Sequence, residues 1–459
     1  MDTRGAVIQR SALFEAEDGY ALPSMLFLVT ILTLVAFSVL LLDFLDRQIA
    51  LREVSRVKAE YAAQSGVARL LEVLSLSATS PEPFVQTRYS FEDGSSAVVR
   101  MQPWGVYRMV ESDGLCHRLC RRRLACVAER PPEAFKQALV LGNTQHQLVL
   151  TGSSHIIGDI SIGAAGATIG SLYGYSTPVS LPLHGQVNGG SLGRQVPHVD
   201  REAVREIRRY YENLLAHRPP PEARVVTLAS GETICSVADS VDIVYASGRL
   251  NFQKDSVFHR GRPLVVIAPP GTISLSGGMR FEGPLAIVSE DSLYVGPGIT
   301  LSHLVLYSQK AITVEGAHLV SSQLLAPRVS IDSITVASYP SALISLTPSG
   351  PTLARQKIRL QGGSTFEGFI SLDSPFGDDV VTVESNAHVT GAIYATARVT
   401  LDGRVDGSVV ASDLYFYEAP TTYLGWVRSG IIDRTRLPDG FLAPPLFLGT
   451  RSNDILGWL

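Results

Sequence analysis

The sequence predicts a mainly β protein: an N-terminal transmembrane and amphipathic α-helix, a short β-meander, then a right-handed parallel β-helix (a solenoid) with a helical insertion. Three observations predict it. Residues 21–42 carry no charge. Apolar quartets recur every nineteen residues in the second half of the chain. Glycines recur one or two residues after an apolar position and just ahead of strand-like runs. The 459 residues suffice for two or three domains, or for one long repeat domain behind a tether.

The helix comes first. Roughly 20 apolar residues cross a bilayer core at the helical rise, and residues 21–42 reach that length before Asp43 ends the run. A secretory signal would have a shorter apolar region and a small-residue cleavage site. Here Asp43, Phe44, Leu45, Asp46 and Arg47 follow instead. From 44 to 75 there is no proline, and Gly66 is the only glycine. Ile49, Val54, Val57, Tyr61, Val67, Leu70, Leu71 and Leu74 recur mostly at spacings of three and four. One helix therefore runs on past the apolar stretch, amphipathic at its end.

Gly19-Tyr20-Ala21-Leu22-Pro23-Ser24, followed by that apolar helix, resembles the prepilin cleavage region of type IV pilins and type II secretion pseudopilins. The stretch Ala59-Glu60-Tyr61-Ala62-Ala63-Gln64-Ser65-Gly66-Val67-Ala68 resembles a segment of large minor pilins. The resemblance covers about 70 residues. It implies a leader (1–19) removed after Gly19 by a prepilin peptidase, and a mature chain that begins at Tyr20. It further implies partner subunits that pack helix against helix, and an exported body on a bacterial inner membrane or in a pilus. Major pilins carry glutamate at the fifth mature position, where it neutralises a neighbour's N-terminal ammonium. Ser24 stands there, which fits the family's minor or tip members. Pro23 is tolerated because the first helical turn has no hydrogen bond to lose.

Charge points the other way. The leader has Arg4 and Arg10 offset by Glu15, Glu17 and Asp18, while Arg47, Arg52, Arg56 and Lys58 follow the span. The positive-inside rule would keep the body in the cytoplasm; the cleavage-site resemblance implies export, and export is the reading taken. The net charge of −4 gives no basic footprint for nucleic acid. Arg121, Arg122 and Arg123 are too short a run to change that. Cys116, Cys120, Cys126 and Cys235 admit three readings: packed thiols, one or more disulfides, or a metal site with His117. The three-residue gap between Cys116 and Cys120 departs from the usual two-residue zinc knuckle.

Pro81 and Pro83 stop the helix, and strand-like runs at 89–91, 97–101, 105–110 and 124–128 make the meander (79–131). Turns are expected at Glu92-Asp93-Gly94 and at Asp113-Gly114. The β-helix is placed at 132–425. Its quartets are Leu285-Ala286-Ile287-Val288, Leu304-Val305-Leu306-Tyr307, Gln323-Leu324-Leu325-Ala326 and Ala342-Leu343-Ile344-Ser345. Between them lie alternating triplets such as Leu293-Tyr294-Val295 and Ile312-Thr313-Val314. Three short strands per nineteen residues make a coil that buries its apolar side only by stacking. Gly158, Gly283, Gly368, Gly391 and Gly407 recur where a corner needs unusual backbone angles. The pattern is similar to bactofilin-like polymer-forming β-helices, a likeness of architecture alone. Residues 163–193 read as long loops. Residues 199–217 read as an inserted helix capped by Asp200, covering the solenoid's side or end. Residues 426–459 read as a capping tail.

β-Helices also host polysaccharide-cleaving enzymes, which need two acidic groups. The candidates are Asp378 and Asp379, with Arg355-Gln356-Lys357 and His184-Gly185 as mimics of sugar-binding elements. The acids follow the basic motif instead of preceding it, and no phosphate loop, nucleophile elbow or zinc helix is present. No catalytic, cofactor-binding or metal residue is assigned, and the processing residues are Gly19, Tyr20 and Ser24. The reading is an exported structural or assembly protein, not an enzyme. A surface adhesin that binds carbohydrate is the alternative, and a polysaccharide-cleaving enzyme stands third.

Overall fold

The computed structural model describes residues 21–76, 86–143, 145–189, 196–230, 232, 234, 237–248, 257–271, 273–275, 277–332, 335–346, 355–448 and 452–459. Gly19, Tyr20 and Cys235 lie outside them.

Helix α1 (Ala21–Leu76) runs unbroken for 56 residues, about 84 Å at 1.5 Å per residue. Its C-terminal part lies across an antiparallel meander of β1 (Gln86–Ser90), β2 (Ser96–Trp104), β3 (Tyr107–Cys116) and β4 (Leu119–Glu129). Val67, Leu70 and Leu74 meet Ala97, Val99, Met101, Val110, Ala125 and Val127 in a small core. The expected turn at Asp113-Gly114 is instead mid-strand in β3. Gly114 is there because the helix passes so close: a Cβ at that position would overlap the Ala59 carbonyl and come 2.5 Å from the Ala63 nitrogen.

The solenoid that follows has three parallel faces. The first takes in Leu264–Ile267, the 285–288 and 304–308 segments and Gln323–Leu325, and continues through 341–345, 368–372, 391–395 and 407–411. It is buried on both sides. Leu285, Ile287, Leu304 and Leu306 point into the coil, while Ala286, Val288, Val305 and Tyr307 point out under a second layer. Double burial is why this face reads as continuous apolar quartets. The other faces have one wet side and alternate, as in Leu293–Val295 and Ala311–Val314.

The nineteen-residue period holds from Leu285 to Leu304 and from Gln323 to Ala342, but the coil between is one residue shorter, with Val305 opposite Gln323. A strict period would have aimed Gln323 into the apolar interior. The shorter coil turns it outward, where its amide is used.

Stacking order departs from chain order. Leu139–Leu141 pairs with 409–411, near the solenoid's last coil, and Ile160–Ile162 and Val187–Gly189 stack beyond it. The chain then returns along the first face through helix α2 (Arg201–Leu215) and starts the far end at Val225–Leu228. From there it winds back coil by coil to Ile431–Asp433, which pairs with both 404–405 and His155–Ile157. The Gly-rich stretch 163–193, expected as loops, holds the strands Ala167–Ile169, Leu183–His184 and Val187–Gly189.

Helix α2 is the expected insertion. Asp200 accepts hydrogen bonds from the Glu202 and Ala203 amides, and Tyr211, Leu214 and Leu215 are buried on the solenoid's side. Residues 426–459 do more than cap. Trp426–Val427 and Ile431–Asp433 are still solenoid strands. Phe441 and Phe447 then pack over the first face, Phe447 against Phe135, Phe369 and Tyr394 with centroids 5.5, 5.9 and 5.0 Å apart. The C-terminal strand Asn453–Trp458 pairs antiparallel with β4. The solenoid is thus inserted between two adjacent strands of the small sheet that α1 crosses.

Candidate anchor and assembly face

Helix α1 has two halves with opposite fates. From Leu22 to Val54 its large apolar side chains are exposed, among them Leu22 (74%), Phe27 (69%) and Phe37 (67%). From Ala59 onward one side is buried: Ala59, Ala62, Ala63 and Val67 are 0–3% exposed. Among the described residues this is the one helix long and apolar enough to cross a membrane. Ser24 is exposed near its start.

The buried half is a seam of small residues. A Cβ on Gly66 would come within 2.7–2.8 Å of Ala97, Val99 and Ser112. With Ala62, Ala63 and Gly114, that glycine lets helix and sheet backbones approach closely. Lys58 and Asp93 pair at 3.9 Å and Arg123 pairs with Glu60, two part-exposed contacts between helix and sheet.

The sheet is in turn bolted to the solenoid. The β2–β3 turn presses Trp104, Val106 and Tyr107 onto the first face. The Gly105 amide donates to the Tyr211 hydroxyl (2.8 Å), and the Val106 amide donates to Gln323 Oε1 (2.7 Å). Gln323 Nε2 donates to the Trp104 carbonyl (2.9 Å). Burial pushes the Tyr211 hydroxyl up in pKa, so it stays neutral beside that amide. Arg262 of the solenoid adds an ion pair to Glu111 of β3 (2.8 Å). Gln323 was visible in the sequence only as the one polar residue opening an apolar quartet. Nothing marked its partner.

The enzyme candidates separate. Asp379 is 1% exposed and used internally, accepting from the Gln356 amide (3.0 Å) and from the Ser374 hydroxyl. Asp378 faces solvent, near Arg398 (3.4 Å) and Arg355 (3.8 Å). His184 lies tilted against His155 in the outermost coils (centroids 4.8 Å apart), several coils away. Among the described residues no three His, Cys, Asp or Glu side chains gather as a metal site. Cys116 and Cys126 are buried free thiols and Cys120 is exposed. Burial pushes Cys126 up to about 12.

Fold and site together define a class: a long apolar helix, the small sheet it spans, and a β-solenoid carried by that sheet. No family model matches the chain, and no curated protein matches it. Among solved structures it is similar to the competence-associated pilin ComZ from Thermus thermophilus, at 11% identity and a TM-score of 0.19, over 88% of this chain and 97% of that one. A score that low carries no argument about role.

Proposed function

We propose that the chain is an exported pilin-like or pseudopilin-like subunit that is held by its N-terminal helix and displays the solenoid. One observation carries the reading: a single helix that is apolar and uncovered for its first half and is the spine of a small antiparallel sheet for its second. An uncovered apolar helix needs a bilayer or other helices around it. In this reading it takes the bilayer first and a bundle of like subunits afterwards. The fixed joint at Gln323 and Tyr211 transmits the helix's placement to the solenoid. The prepilin-like residues Gly19 and Tyr20 supply the processing step, and Ser24 suits a minor or tip position. The body is read as non-enzymatic, because Asp379 is engaged as a structural acceptor and Asp378 is solvated.

The test is the N-terminal sequence of the protein recovered from membranes with and without a prepilin peptidase. A chain starting at Tyr20 only when the peptidase is present supports the route. An intact Met1, or cleavage near residue 45, overturns it. Loss of a polysaccharide-cleaving activity of the purified protein on Asp378→Asn with Asp379→Asn would overturn the non-enzymatic assignment.

A further inference from the structure

The third face of the solenoid carries an irregularity. After 413–414 the chain leaves the parallel stack and makes an antiparallel hairpin, 415–418 against Thr421–Leu424. It rejoins the stack at Trp426–Val427. The excursion concentrates aromatic rings. Phe416 is buried and stacks flat under Tyr423, with centroids 4.5 Å apart and planes at 11°. Tyr423 meets Trp426 at 5.2 Å and 60°. Tyr423 and Trp426 are both half-buried.

The rings are held in place. A Cβ on Gly170 would stand 2.6 Å from the Trp426 ring, so that ring occupies the space a side chain would otherwise fill. The Arg428 guanidinium lies 5.3 Å from the Phe416 ring and 5.4 Å from Tyr175. It also forks onto Asp402, at 3.1 and 2.5 Å. A planar donor and a carboxylate acceptor are therefore fixed beside the aromatic surface with their charges mutually cancelled.

We infer that Tyr423 and Trp426, flanked by Arg428 and Asp402, form a binding platform for a neutral glycan chain. Pyranose rings offer apolar C–H faces to stack on aromatic rings, and hydroxyls around the rim for in-plane donors and acceptors. Such a site needs aromatic, apolar surface with a few fixed polar groups. Charge decides against an anionic occupant. Arg428 is spent on Asp402, and the neighbouring Arg398 lies beside Asp378 and over the Tyr415 ring. A polyanion or nucleic acid would need unpaired cations here.

The test uses the full chain in detergent, titrated by calorimetry with cellohexaose and chitohexaose (neutral oligosaccharides) and with an oligogalacturonate of similar length as the anionic counterpart. Saturable binding is expected with at least one neutral oligosaccharide. It should weaken about tenfold or more in Trp426→Ala and in Tyr423→Ala, the loss of one aromatic contact. It should be unchanged in Trp458→Phe, on the C-terminal strand. Far-ultraviolet circular dichroism and melting would establish that each variant is folded. Absence of saturable binding of either neutral oligosaccharide, undiminished binding in both folded platform variants, or preference for the galacturonate would each overturn the inference. The mature N-terminus is read separately, so the platform and the pilin-like route can fail independently.

Discussion

Gly391→Ala is expected to be among the most damaging small substitutions in the solenoid. Gly391 sits at a coil corner with φ of +149°, between Gly368 in the coil before and Gly407 in the coil after. A Cβ there would overlap the Gly368 carbonyl oxygen and stand 2.9 Å from its carbon and 3.1 Å from its nitrogen. Those are backbone atoms of a hydrogen-bonded neighbouring strand, so no side chain can swing aside. Forcing alanine into that backbone region costs about 1–3 kcal/mol, and overfilling a close-packed site about 1–3 kcal/mol more. The sum is about 2–6 kcal/mol. With a urea slope of about 3 kcal/mol per M, the unfolding midpoint should fall by about 0.7–2 M. The assay is urea unfolding of the detergent-solubilised chain followed by circular dichroism. The control is Gly377→Ala, where nothing lies within 4 Å of the added Cβ and a surface change of about 0.5 kcal/mol or less is expected. If Gly391→Ala moved the midpoint no more than Gly377→Ala, the corner would not be sterically locked.

Gln323→Leu keeps the volume but strands the Val106 amide and the Trp104 carbonyl. It should cost about 1–3 kcal/mol per orphaned group, read as faster hydrogen exchange at Val106. Asp200→Ala removes the cap of α2 and should cost about 1 kcal/mol in urea unfolding. Of Cys116, Cys120 and Cys126, iodoacetamide at pH 8 should label Cys120 alone in the native protein. That labelling should be slower than for a free thiol, because partial desolvation and the nearby Asp113 carboxylate raise the Cys120 pKa and thin its thiolate; rapid labelling of Cys126 would contradict its burial. Burial lowers the pKa of His303 below its ordinary value. Its neutral form therefore favours folding above about pH 6.5, an advantage lost as pH falls from there toward the lower folded value. His303→Asn tolerates the φ of +60° and should show a smaller stability loss between pH 8 and pH 5.

The parts of the fold legible in sequence are those written in local pattern. The exposed apolar run, the quartets of the doubly covered face and the glycines ahead of each corner all repeat an environment, so each could be read where it stands. Asp200 announced α2 by the chemistry of one carboxylate. What pattern could not carry is pairing across distance. Nothing in Leu139-Val140-Leu141 says that its partner is 409–411, and nothing in Asn453–Trp458 points to β4. Three-residue strands among glycines, as in 163–193, look like loops until neighbours complete them. Gly114 looked like a turn because its reason, the helix lying on β3, belongs to tertiary structure. The aromatic platform was half visible. Trp426 lay in the stretch read as a capping tail, but Tyr423, Arg428, Tyr175 and Asp402 join it only through the hairpin and coil stacking.

The return path of α2 gives the chain an order of completion that differs from its order of synthesis. Residues 139–189 leave the ribosome, and on the exported reading cross the membrane, before the coils at 404–433 that seat them. Their strands face an empty edge until nearly the whole chain has arrived. The small sheet waits still longer, because β4 lacks its outer neighbour until 453–458 emerges. A chain stopped short would therefore lose support at its beginning as well as at its end, leaving the spine helix attached to an unfinished sheet. Completion of the body is thereby linked to the firmness of its mount, a form of length proofreading built from topology alone.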